Sequence, residues 1–156
     1  MPPPQTSSIE SSLSLDDFPL HSFDKLRYGD TDRQGHVNNA VFTTLLETGR
    51  VELFHEGPVS LMDPGCSFVI AHLSLDFISE LRWPGRVEIG TRVVATGRSS
   101  IRLEQALFQH DRLAARAQTV IVQVNGQTRR GQALSEGLVA RLRPFREPEG
   151  KTTPPP

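Results

Sequence analysis

The chain of 156 residues lacks the features of cross-linked and membrane-spanning proteins. Its single cysteine, Cys66, excludes an intrachain disulfide and a multi-cysteine zinc site. No apolar run approaches the roughly 18 residues that a membrane span needs. The first residues also lack the basic and apolar stretches of a secretion signal. We therefore expect a cytoplasmic protein with no membrane partner.

Sequence motifs of several common enzyme classes are also missing. Neither GxGxxG nor GxxxxGK[ST] occurs, and strands and helices do not alternate, which argues against a nucleotide-binding parallel sheet. The absence of GxSxG argues against the serine nucleophile of the α/β-hydrolases. The histidines form no i, i+4 pair of the kind that binds zinc, so we expect no metal site.

The charge is unevenly distributed along the chain. The net charge is -1, but residues 1–78 hold four basic and eleven acidic side chains, whereas residues 79–156 hold thirteen basic and seven acidic ones. Two of the basic residues are Lys and the rest are Arg, and the chain has one Trp and one Tyr, which disfavours nucleic-acid binding. Arg suits a small phosphate-bearing ligand, but it also commonly decorates exposed strand faces, and charge alone leaves both interpretations open.

Composition predicts one domain between two tails. Residues 1–20 and 145–156 are rich in Pro, Ser, Thr and charge, which is typical of a disordered N-terminal tail and a Pro-rich C-terminal tail. Residues 21–144 remain as the folded domain. Its size allows a single hydrophobic core.

Hydrophobic periodicity predicts an α+β domain with one long helix. The helix covers about 40–57, with Asn38 or Asn39 as its cap, and a short second helix ends near Pro144. Because the first helix is apolar nearly all round, we expect it to be mostly buried under a curled antiparallel sheet. Its Gly49 indicates close approach of another backbone. The predicted strands cover 21–29, 68–77, 87–96, 101–110 and 113–125.

The loop over residues 29–39 has more polar and flexible residues than a simple connection needs. It leads directly into the long helix, whose N-terminus offers unpaired N–H groups and a partial positive charge to a carbonyl oxygen. Asp32 lies a few residues upstream and is a candidate nucleophile or general base for acyl transfer. The alternative is structural: Asp30 and Asp32 fold the turn, and Asn38 caps the helix.

The segment RYGDTDRQGHVNNAVFTTLLETGR resembles the signature of the hot-dog-fold acyl-CoA thioesterases, in the 4-hydroxybenzoyl-CoA thioesterase branch. The resemblance covers roughly Phe23 to Leu142 and includes LRWPGRVEIG, RSSIRLEQALF and VNGQTRR. It implies a hot-dog fold, in which a curved antiparallel sheet wraps a long central helix. It also implies an acyl-CoA substrate, no cofactor beyond the coenzyme A of that substrate, and a homodimer or homotetramer with active sites where subunits meet.

The resemblance also implies roles for individual residues. Asp32 becomes the nucleophile or general base, the backbone N–H of Asn39 polarises the thioester carbonyl, and Asp30 becomes structural. The remaining implied residues contact the substrate. Gly35, His36, Val37 and Asn38 shape the thioester pocket, and Arg98, Ser99, Ser100, Arg129 and Arg130 meet the coenzyme A phosphates.

Several alternatives stay open at the level of sequence. Another hot-dog branch uses a Glu on the central helix, which makes Glu47 a rival to Asp32, although Glu47 and Arg50 have the i, i+3 spacing of a helix ion pair. Asp32 and His36 also invite comparison with a hot-dog hydratase or dehydratase. His36 could form the pocket wall, orient a water molecule or support the loop, and we expect loop support. A non-catalytic acyl-CoA sensor would use the same pocket. We interpret Cys66 as a small buried residue.

Overall fold

The computed structural model describes residues 13–55 and 60–146. The elements are β1 (Leu20–Lys25), α1 (Asn39–His55), β2 (Cys66–Phe77), β3 (Arg86–Thr96), β4 (Ser100–Gln109), β5 (Arg112–Asn125) and α2 (Glu136–Leu142). The strands form one antiparallel sheet of five, in the order β1-β3-β4-β5-β2, which confirms the predicted α+β architecture. None of the helices in these two ranges is long and apolar enough to cross a membrane.

Helix α1 packs on one face of the sheet. Its inward residues, such as Phe42 and Leu46, join the core with Ile89 of β3 and Leu107 of β4. The opposite side of the helix is exposed, and Val51 on that side keeps 48% of its surface in contact with solvent. The expectation of a mostly buried helix is therefore right for one face only, because a single chain covers the helix from one side.

Helix α1 approaches the sheet closely at Gly49. A Cβ atom there would lie 2.8 Å from Nε2 of Gln105, 2.8 Å from Oγ1 of Thr91 and 2.9 Å from Cγ2 of Ile89. The same Gln105 Nε2 donates to the carbonyl oxygen of Leu46 at 2.9 Å. The prediction of a close contact at Gly49 is correct, but side chains rather than another backbone make the contact.

A bulge in β2 changes which residues of that strand face the helix. The register with β5 shifts between Ile70 and His72. Simple alternation places Phe68 on the face opposite Leu73, yet both pack against the core, because the extra residue of a bulge reverses the alternation. The predicted two-face pattern of β2 is therefore wrong before the bulge.

The folded part of the chain extends beyond the predicted boundaries at 21 and 144. Residues 13–18 lie against the sheet with Phe18 buried, and Phe145 packs against the core at the other end. Phe18 contacts Gly90 and meets Phe108 edge-on at a ring-centroid distance of 6.3 Å. The rest of the predicted tails, 1–12 and 147–156, and the predicted helix end at 56–57 lie outside the described residues.

Candidate active site

Asp30 holds the start of the polar loop in place. Its carboxylate accepts the backbone N–H of Arg27 at 2.8 Å and the Arg27 guanidinium at 2.9 Å, while its carbonyl oxygen accepts the N–H of Asn38 at 2.8 Å. The backbone N–H of Arg27, assisted by the guanidinium, keeps the pKa of Asp30 below its ordinary value against the opposing effect of burial. Both carboxylate oxygens of Asp30 are thus used within the loop.

Asp32 is exposed, and only one of its carboxylate oxygens is used in folding the loop. Oδ1 accepts the backbone N–H groups of Gln34 at 2.8 Å and His36 at 3.2 Å, and the Asp32 N–H donates to the His36 carbonyl oxygen at 2.8 Å. Gly35 completes this turn with a φ of 80°. Oδ2 makes no hydrogen bond to the described part of the chain, so the loop orients the carboxylate and leaves one oxygen for chemistry.

The N-terminus of α1 also has an unused polar group. Asn38 caps the helix, since its Oδ1 accepts the N–H of Ala40 at 3.0 Å and its carbonyl oxygen accepts the N–H of Val41 at 2.9 Å. Within residues 13–55 and 60–146, the N–H of Asn39 finds no acceptor. A free N–H at a helix N-terminus is a donor for an oxygen that gains negative charge.

Asp32, His36 and Asn39 line one cleft of about 360 Å³. The opposite wall comes from Phe77, the last residue of β2, and from the segment 78–80 that follows it. Phe77 meets the buried ring of Phe42 edge-on at 5.0 Å, which joins the first turn of α1 to the end of β2. The structure thus brings the two predicted catalytic residues together. Val37 also lines this cleft, while Gly35 and Asn38 shape the loop beside it.

Two charged residues near the cleft were missed by sequence reasoning. Glu80 Oε2 lies 3.2 Å from Nε2 of His36 and 2.8 Å from the Arg82 guanidinium. The backbones of His36 and Arg82 form an isolated antiparallel bridge. The only signal in the sequence is the alternating charge of SELR, which does not reveal a partner 44 residues earlier in the chain.

The predicted phosphate-binding residues lie at the other end of the sheet. Ser99 and Arg130 each accept a backbone hydrogen bond from the C-terminal part of β5, and Arg98 and Arg129 are exposed beside them. The cleft lies near the start of β5, where Ala115 pairs with Phe77. At about 3.3 Å per residue, the two ends are about 30 Å apart along the strand. The structure gathers Arg98, Ser99, Ser100, Arg129 and Arg130 into one region, but not at the cleft of the same chain.

Glu47 lies in a different cleft, of about 290 Å³, between the C-terminal half of α1 and the start of β2. The helix ion pair expected for Glu47 and Arg50 is absent from the described residues. Arg50 instead turns into the core and donates to Gln105 Oε1 at 3.3 Å, and burial lowers its pKa while the charge of Glu47 opposes this. Cys66 is half-buried in the same cleft.

The described residues contain no group of three or more His, Cys, Asp or Glu side chains that is placed to hold a metal ion.

The family model of the thioesterase-like superfamily matches residues 26–142, about three quarters of the chain. The chain belongs to this superfamily. Membership confirms the thioester hydrolase class that the sequence predicted. None of the curated proteins compared with the chain matches it.

Solved structures support the same assignment. A thioesterase from Thermus thermophilus, crystallised with coenzyme A and zinc, is 32% identical with a TM-score of 0.74, over 88% of this chain and 99% of that one. The PA5185 protein of Pseudomonas aeruginosa is 25% identical with a TM-score of 0.75, over 86% of this chain and 96% of that one. A predicted thioesterase from Bacillus stearothermophilus shares the fold: it is 24% identical with a TM-score of 0.73, over 81% of this chain and 95% of that one. The predicted hot-dog fold is confirmed.

Proposed function

We propose that the protein is an acyl-CoA thioesterase that hydrolyses R-CO-S-CoA to a carboxylic acid and free coenzyme A. The observation that carries this proposal is the cleft in which Asp32 and Asn39 meet, because one offers a free carboxylate oxygen and the other a free N–H. The superfamily supplies the class of bond that is broken. The resemblance to the 4-hydroxybenzoyl-CoA branch supplies the expectation of coenzyme A.

In the proposed reaction, Oδ2 of Asp32 activates a water molecule or attacks the thioester carbonyl carbon itself. The carbonyl oxygen points at the N–H of Asn39, where the partial positive charge of the α1 N-terminus stabilises the negative charge that develops on it. The carbon–sulfur bond then breaks and coenzyme A leaves as its thiol. On the route in which Asp32 itself attacks, the acyl group is left on Asp32 as an anhydride, and a water molecule hydrolyses it to the free acid and regenerates the carboxylate. These steps use groups of the chain and water, and we propose no metal or redox cofactor.

We further propose that two copies form the working unit through β2. This strand is at an edge of the sheet, and Val69, Ile70 and Phe77 on it keep about half of their surface exposed. An edge strand with exposed apolar residues pairs readily with another chain. When two copies of β2 pair antiparallel about the middle of the strand, the Cys66 end of one lies beside the Phe77 end of the other.

This pairing accounts for the position of the arginines. The Cys66 end of β2 pairs with Asn125 of β5, close to Arg129 and Arg130. In a homodimer, these residues of one copy approach the Asp32 cleft of the other copy and can bind the coenzyme A phosphates there. Arg98 belongs to the same end of the sheet. A tetramer built from two such dimers is compatible with this arrangement.

We also propose a cytoplasmic location, because a single free cysteine is typical of a reducing compartment.

Thiol release from acyl-CoAs tests the proposed function. The purified full-length protein is supplied with short-chain, long-chain and aromatic acyl-CoAs, and free thiol is followed with a chromogenic disulfide. We expect turnover with at least one acyl class. Binding of acyl-CoA without thiol release would indicate a sensor instead, and hydration of an enoyl-CoA with its thioester intact would indicate a hydratase.

A further inference from the structure

His36 forms an array with Glu80 and Arg82, and the first two of these residues line the cleft of Asp32. Glu80 Oε2 lies 3.2 Å from Nε2 of His36 and 2.8 Å from Nη2 of Arg82, and the same Nη2 lies 3.4 Å from Nε2 of His36. The Arg82 backbone is held by Gln109, which donates to its carbonyl oxygen at 2.8 Å and accepts its N–H at 2.9 Å. The three side chains are thus presented from backbone segments that are themselves fixed.

The array accommodates either neutral tautomer of the His36 ring. When Nε2 carries the hydrogen, it donates to Glu80, because an ionised carboxylate is an acceptor. When Nε2 carries a lone pair, Arg82 is the donor that faces it. The ring can therefore gain and lose a proton without leaving Nε2 unpartnered, which is what a residue that transfers protons requires.

Stability does not explain this array. The side chains of Glu80 and Arg82 are 50% and 65% exposed, and ion pairs at such positions contribute little to folding. The Asp32 turn does not depend on the imidazole either, because Asp32 accepts the backbone N–H of His36. His36 lines the same cleft as Asp32 and Asn39, so its ring lies beside the groups of the proposed reaction.

We infer that His36 donates the proton that the departing coenzyme A sulfur needs, and that Glu80 and Arg82 position its ring. This inference rests on the proposed thioesterase function. Water gives one proton to Asp32, and the water oxygen forms a bond to the carbonyl carbon. The carbon–sulfur bond then breaks, and the sulfur takes a proton from the His36 imidazolium. Asp32 returns its proton to His36 through solvent, so the sum is thioester plus water to acid plus thiol.

The test compares two leaving groups on the same acyl chain. The substrates are the acyl-CoA that turns over fastest and the S-(4-nitrophenyl) thioester of the same acid, whose thiol leaves without protonation because its pKa is low. We expect His36→Gln to lower kcat about 100-fold on the acyl-CoA and less than tenfold on the aryl thioester. A second variant, His36→Ala, should regain acyl-CoA turnover when imidazole is added to the buffer.

Glu80→Gln tests positioning, because it keeps the size of the side chain and removes its charge. We expect kcat on the acyl-CoA to fall about tenfold with KM and the melting temperature unchanged, since the pair contributes little to stability. Glu88→Gln is the matched control: Glu88 pairs with Arg86 outside the cleft, and its loss should leave kcat within about twofold of wild type.

Failure of the inference can be told apart from failure of the proposed function. The first case is that wild type releases thiol, but His36→Gln either keeps full activity or loses the same factor on both leaving groups, and imidazole does not rescue His36→Ala. In that case the enzyme is a thioesterase and His36 is not the proton donor. If wild type releases no thiol from any acyl-CoA, the proposed function and this inference both fall.

Discussion

At the scale of single residues, two neighbouring carboxylates of the polar loop differ in how many oxygens they have left. Asp30 is buried and uses both oxygens on Arg27, whereas Asp32 is exposed and uses one on the turn. This difference supports Asp32 as the reactive group. Sequence spacing alone could not separate the two, because it cannot show which carboxylate is consumed by local hydrogen bonds.

Asp63 gives a prediction about stability and pH. It is buried, and its carboxylate accepts hydrogen bonds from Ser135 and Gln123. Burial acts to raise the pKa of Asp63, but these hydrogen bonds outweigh burial and hold it below the ordinary value. A lowered folded-state pKa means that the carboxylate stabilises the fold above about pH 4 and that this stabilisation is lost as the pH falls through the lower, folded-state pKa.

We expect Asp63→Asn to lower the free energy of unfolding by about 1–3 kcal/mol at neutral pH. The difference in unfolding free energy between the variant and wild type should shrink in acid, because protonation then removes the charge of the wild-type carboxyl. Urea unfolding of both proteins at neutral pH and near pH 3 measures this. A difference that stays constant over that range would show that the charge of Asp63 does not carry the stabilisation.

At the scale of elements, the loop before α1 both starts the helix and presents the site. The Asn38 side chain caps the helix and fixes the first turn, and Asn39 of that turn lines the cleft. Stability and turnover should therefore change together when the cap is removed, because the same turn serves both.

We expect Asn38→Ala to lower the free energy of unfolding by about 1 kcal/mol and to lower kcat, since the oxyanion donor loses its fixed position. Asn38→Ser is the matched variant, because serine also caps helices and should keep both properties close to wild type. Chemical denaturation and thiol release measure the two effects. Full turnover in Asn38→Ala would contradict the role of this turn.

The order and type of the elements could be predicted because each depends on a local pattern. The helix and the strands follow from periodicity, and the N-cap follows from Asn38 or Asn39 next to an apolar run. The structure decides between the two in favour of Asn38. The bulge in β2 could not be predicted, because alternation does not reveal an inserted residue. The contact of His36 with Glu80 and Arg82 is also invisible locally, since the fold joins segments 44 and 46 residues apart.

At the scale of the whole molecule, the arginines and the cleft lie at opposite ends of one sheet. The family resemblance predicts roles for both groups of residues, but a sequence does not show the distance between them. The proposed homodimer through β2 would resolve this separation, because a twofold axis exchanges the two ends of that strand. The proposed active site then needs both copies.

A charge on β2 should separate the copies. We expect Ile70→Lys, at an exposed edge position, to give a monomer in light scattering and to raise the KM for acyl-CoA strongly, because the partner's arginines are removed from the cleft. Val94→Lys is the control, since Val94 is exposed on β3, which is not an edge strand. An Ile70→Lys monomer with wild-type KM would contradict a shared site.

The most direct measurement compares the rates of thiol release by Asp32→Asn and Asp24→Asn. Asn at position 32 keeps an oxygen to accept the turn hydrogen bonds and loses the reactive charge. Asp24 is the control because its Oδ1 also accepts a backbone N–H, from Lys25 at 2.8 Å, on a strand away from the cleft. We expect kcat to fall at least 100-fold in Asp32→Asn with little change in KM, and to stay at the wild-type value in Asp24→Asn. Unchanged turnover in Asp32→Asn would remove Asp32 from the reaction.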